Sequence, residues 1–64
     1  MDNAQIILDL IKNNEDQLDS VDITSMSKLD VATTLAVLHE LENTGKIVRC
    51  SKGIGYTYKT KSNN

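Results

Sequence analysis

Three segments with helical apolar spacing, followed by two short runs of β-type residues, predict an α+β domain of three helices and a two-stranded hairpin. Two observations carry this. Apolar residues recur three and four apart as far as Leu41, and beyond Lys46 the pattern changes to β-branched and aromatic residues. Gly45 stands at the change. The chain has 64 residues, of which 39% are hydrophobic and 25% charged, with no proline. A chain this short buries only about 60% of its unfolded surface, so it holds one domain. Phe and Trp are absent, so Ile, Leu and Val must form the core.

Asp2 and Gln5 have the spacing of a capping box, which starts helix 1 at residue 3. Ala4, Ile6, Ile7, Leu10 and Ile11 form its buried face, and Asn13-Asn14-Glu15-Asp16 ends it near residue 13. A short extended piece follows through Leu18. Ser20 is the expected cap of a second helix over 21–28, with Ile23, Met26 and Ser27 turned inward. Its many β-branched and serine residues make that helix dependent on tertiary packing. Leu29 falls in a turn, and Asp30 caps a third helix over 31–44 whose core face is Val31, Thr34, Leu35, Leu38 and Leu41. Gly45 supplies the left-handed residue that ends many helices. Strands are then expected over 46–50 and 56–60, joined through Ser51-Lys52-Gly53-Ile54-Gly55. Tyr56 and Tyr58 point to one face and pack on helix 3. Residues 1–61 make up the domain, and 62–64 are expected to be a disordered tail.

Charge is divided along the chain. From Asp2 to Glu42, nine acids against Lys12 and Lys28 leave −7, whereas residues 46–64 carry Lys46, Arg49, Lys52, Lys59 and Lys61 and no acid, giving +5. Such a split suits a basic end that faces a polyanion. Cys50 is the single cysteine, which excludes an intrachain disulfide and multi-cysteine metal sites and fits a reducing, cytoplasmic location. No apolar run approaches a membrane span, and the first residues lack the basic and apolar regions of a secretory signal. His39 and Glu40 point about 100° apart on a helix and make no base–orienter pair, and Gly53-Ile54-Gly55 precedes a strand rather than a helix. No enzyme activity, cofactor or metal is expected.

The passage from Leu29-Asp30-Val31 through Leu35, Leu38 and Leu41-Glu42-Asn43-Thr44-Gly45-Lys46-Ile47-Val48-Arg49 resembles small winged helix-turn-helix transcription regulators of phage, plasmid and pilus-operon type. In that family a Leu-Glu-x-x-Gly-x-Ile/Val signature closes the third helix and opens the wing. The resemblance implies a winged-helix fold, with helix 3 in the major groove of double-stranded DNA and the hairpin on the neighbouring backbone. At 100° per residue, Ala32, Thr33, Ala36, Val37, Glu40, Asn43 and Thr44 face away from the expected core, and none is basic. Base reading would then fall to Thr33 and Asn43, to methyl contacts from Ala36 or Val37 with thymine, and to Glu40 accepting from a cytosine amino group. Arg49, Lys52, Lys59 and Lys61 would hold phosphates. About four such contacts bind weakly, so a homodimer or a partner regulatory protein is expected to supply the rest. The alternative is a protein-interaction winged helix that docks through the outer face of helix 3.

Overall fold

The computed structural model describes residues 2–61; Met1 and the expected tail at 62–64 lie outside the described residues, as does the side chain of Lys52. Three helices, α1 (Asn3–Asn13), α2 (Ser20–Ser27) and α3 (Val31–Asn43), precede strands β1 (Ile47–Lys52) and β2 (Gly55–Thr60). The strands pair antiparallel from Ile47 opposite Thr60 to Lys52 opposite Gly55. This is the layout of a winged helix.

Each helix starts on an aspartate. Asp2 accepts from the Gln5 amide at 2.8 Å, but the Gln5 side chain turns to Asp9 instead of returning to the cap, so only half of the expected box forms. On α2 the cap is Asp19 and not Ser20, which is the first helical residue. Asp19 accepts from the Asp22 amide at 2.8 Å, and Asp22 accepts from the Asp19 amide at 3.3 Å. A carboxylate one residue earlier wins because it completes this reciprocal pair at the positive end of the helix. Asp19→Ala is therefore expected to cost about 0.5–2 kcal/mol in urea unfolding, and Ser20→Ala much less. Asp30 caps α3 through the Thr33 amide at 3.2 Å.

Lys28, at φ +62, ends α2, and with Leu29 and Asp30 it forms the turn into α3. The end of α3 is a Schellman turn. Gly45, at φ +75, donates to the Glu42 carbonyl at 3.0 Å, and Lys46 donates to the Leu41 carbonyl at 2.9 Å. Gly53, at φ +64, is the first of two loop residues between the strands, so the reversal is tighter than the expected five-residue connection.

Ile7, Ile11, Leu18, Ile23, Leu38, Leu41, Ile47 and Tyr58 form the core, with Ala4, Leu8, Leu10, Leu29 and Val37 packed around it. The turn after α1 packs along the free edge of β2. Asp16 donates its amide to the Tyr58 carbonyl at 2.9 Å, and Tyr58 donates its amide to the Leu18 carbonyl at 3.1 Å. Thr57 adds a hydroxyl bond to the Asp16 carboxylate at 2.5 Å, and the Thr60 amide bonds Glu15 at 2.7 Å. The outer edge of β2 is thereby covered, which ties the hairpin to α1.

Two helix faces differ from expectation. Met26 is exposed, leaving Ile23 as the buried residue of α2. On α3 the buried residues are Thr34, Leu38 and Leu41, while Val31 and Leu35 are 61% and 48% exposed. Thr34 can be buried because its hydroxyl donates to the Asp30 carbonyl at 3.0 Å. With the arc centred on those three residues, Val37 lies about 65° to one side and Leu35 about 95° to the other, at 100° per residue. Val37 joins the core and Leu35 does not.

Candidate nucleic-acid interface

The residues expected to read bases fall into two groups. Ala36, Glu40 and Asn43 are exposed on α3, with Thr44 just past its end. Val37 is partly buried and packs against the core, so less of its side chain faces outward than the wheel predicts. Thr33 is half-buried, and its hydroxyl donates to Asp30 at 2.5 Å. Thr33 thus belongs first to the helix cap. This bond, followed by the one from the Thr33 amide, holds the Asp30 carboxyl below its ordinary range, so it stays ionised at neutral pH. Asp30 therefore places a negative charge at the start of α3, the end that enters a groove in helix-turn-helix proteins.

The pairing register divides the hairpin into two faces. Ile47, Arg49, Tyr56, Tyr58 and Thr60 share the face toward the helices, and Val48, Cys50, Thr57 and Lys59 share the other. Tyr58 is buried as expected, whereas Tyr56 is 52% exposed with the Arg49 guanidinium 5.0 Å above its ring centre. Arg49 also pairs with Glu42 of α3 at 2.7 Å. The pair ties the hairpin to α3, and it partly neutralises the Arg49 charge and uses part of its donors. Lys59 and Lys61 are exposed, and no ion pair engages either among the described residues. Lys52 is the last residue of β1, and its side chain lies outside the described residues.

Burial, with the Glu42 charge second, pushes the Tyr58 hydroxyl above its ordinary value. The folded state thus favours the neutral phenol. That contribution is fully present below about pH 10 and is lost as pH rises through the folded value. Tyr58→Phe should flatten the alkaline fall in stability, as measured by thermal melts from pH 8 to 11.

A groove of about 310 Å³ runs between α2 and α3, lined by Ser20, Val21, Thr24, Ser25, Val31 and Leu35. Val21, Val31 and Leu35 are its exposed apolar residues. His39 is exposed, Cys50 is a half-buried free thiol, and no cluster of metal-ligating side chains occurs among the described residues. No described helix is long and apolar enough to cross a membrane.

The fold is an α+β arrangement with the layout of a winged helix, and its hairpin is followed and flanked by exposed lysines. Comparison with protein-family models, curated proteins and solved structures finds no match to this chain.

Proposed function

We propose that the protein is a small DNA-binding transcription regulator in which the hairpin supplies most of the affinity and α3 sets the position on the duplex. One observation supports this most directly. A helix-turn-helix with one exposed side on its second helix runs without a linker into a hairpin in which Lys59, and Lys61 just after it, are exposed and engaged by no ion pair among the described residues. Lysines held this way neutralise phosphates and release counterions. The exposed side of α3 carries Ala32, Ala36, Glu40 and Asn43 and no cation, so base discrimination is weak and rests on Asn43, Glu40 and methyl contacts. A dimer or a partner protein completes the affinity. Titrating a random duplex at several salt concentrations tests this reading. A linear fall of log affinity with log salt, with a slope of about −3 for three to four contacts, is the expected result. Absence of binding at low salt would remove the reading.

A second reading is favoured by the groove between α2 and α3. Val21, at 70% exposed, joins Val31 and Leu35 in a cluster that suits an apolar side chain of a protein partner. In that case Leu35→Asp abolishes the complex, while loss of wing charges leaves it intact.

A further inference from the structure

A cleft of about 460 Å³ lies at the root of the hairpin, where α1 and α3 end, β1 begins and β2 stops. Its walls include Lys12, Thr44, Gly45, Lys46, Thr60 and Lys61. The fold gathers these lysines from distant parts of the sequence. Lys12 sits in the last turn of α1, Lys46 closes the Schellman turn, and Lys61 donates its amide to the Lys46 carbonyl at 3.1 Å. All three are exposed, and none is ion-paired among the described residues.

The simplest account of lysines here is that they offset two helix C-termini. Magnitudes decide whether that is all they do. Each helix end carries about half a negative charge. The end of α3 is already satisfied by bonds from Thr44, Gly45 and Lys46. Glu15 adds one full charge at the rim, where the Thr60 amide and hydroxyl hold its carboxylate. Three ammonium groups exceed these together by about one unit, within a concave wall that concentrates their field. The cleft is left with a positive surplus and no acid among its lining residues.

The donors available also indicate the ligand. The Thr44 hydroxyl is spent on the Glu40 and Leu41 carbonyls and that of Thr60 on Glu15, so recognition falls to lysine nitrogens. Lysines are point charges with rotatable donors, which suit the tetrahedral oxygens of phosphate better than the planar fork of a carboxylate. We propose that the cleft is a phosphate-binding site formed by Lys12, Lys46 and Lys61. It shares Lys61 with the proposed DNA contacts but adds Lys12 and Lys46, which that reading does not use. The phosphate group belongs either to a nucleic-acid backbone or to a free phosphate compound.

Amide chemical shifts of the labelled protein, titrated at low salt with inorganic pyrophosphate and separately with a short random duplex, test the site. Saturable shifts at Thr44, Gly45, Lys46 and Lys61 are expected with pyrophosphate. Lys12→Ala should weaken this binding about tenfold, the effect of one charge-assisted contact, and Lys59→Ala should leave it unchanged. If the duplex moves the same amides and Lys12→Ala lowers its salt slope by about 0.9, the phosphate is that of a nucleic acid. If pyrophosphate alone acts, it is a free compound, and the DNA reading fails without the site. Shifts that do not saturate, or a Lys12→Ala variant that binds pyrophosphate as the parent does, overturn the proposal.

Discussion

Leu38→Ala should destabilise the protein by about 2–5 kcal/mol, whereas Leu35→Ala should cost less than about 1 kcal/mol. Both are leucines on one helix, three residues apart. Leu38 is 1% exposed in the main core, and its loss leaves a cavity that the aliphatic neighbours Ile7, Ile23 and Leu41 can only partly close. Leu35 is 48% exposed and lines the groove beside α2, so truncation there removes little buried area and opens no void. At about 0.05–0.15 kcal/mol per residue, a domain of 64 residues has only about 3–10 kcal/mol of total stability. Leu38→Ala should therefore be substantially unfolded at the lower end of that range. Urea unfolding of both variants decides the orientation of α3, and equal losses would mean that the helix is rotated from the position described.

Replacing Lys52, Lys59 and Lys61 together by alanine should reduce affinity for a random duplex several hundredfold at about 0.1 M salt, because each released contact is worth about eightfold there. The same change should bring the salt slope close to zero. Arg49→Ala should have a smaller effect than Lys59→Ala, because Glu42 already holds the Arg49 guanidinium at 2.7 Å. Substituting Asn43 or Ala36 tests the other half of the reading. Both are exposed on α3 and uncharged, so preference among sequences should change while the slope stays the same. Gel shifts against a random pool and a set of fixed duplexes measure both. If triple replacement leaves affinity intact, the wing does not carry DNA binding, and the apolar groove between α2 and α3 becomes the surface to pursue.

Much of the arrangement can be read locally. Aspartates at helix starts, the glycine after Leu-Glu-Asn-Thr, and the change from helical to alternating spacing are chemical preferences of a few neighbouring residues, and they place α1, α3 and the hairpin within a residue or two. The cap of α2 was also legible, since Asp19 and Asp22 have the reciprocal spacing, but the adjacent Ser20 is an equally good cap by type. The candidate interface was less legible. Lysines on the hairpin are visible as a charge run, whereas the pairing of Arg49 with Glu42 depends on the reversal at Gly45 that returns β1 beside α3.

The sequence by itself determined the order of elements, their ends, the aliphatic character of the core and the separation of charge, because each follows from propensity and composition over short distances. Tertiary structure decided which side of α3 is buried. The sequence wheel places Thr34 inside, as it is, but also Leu35 inside and Val37 outside, whereas the helix must cover α1, α2 and β1 together, which turns Val37 in and Leu35 out. Tertiary structure also turned Glu15–Leu18 into an edge for β2 and brought Lys12 next to Lys46 and Lys61. Such neighbours lie more than thirty residues apart in sequence, and only chain closure around a shared core gives them a common surface.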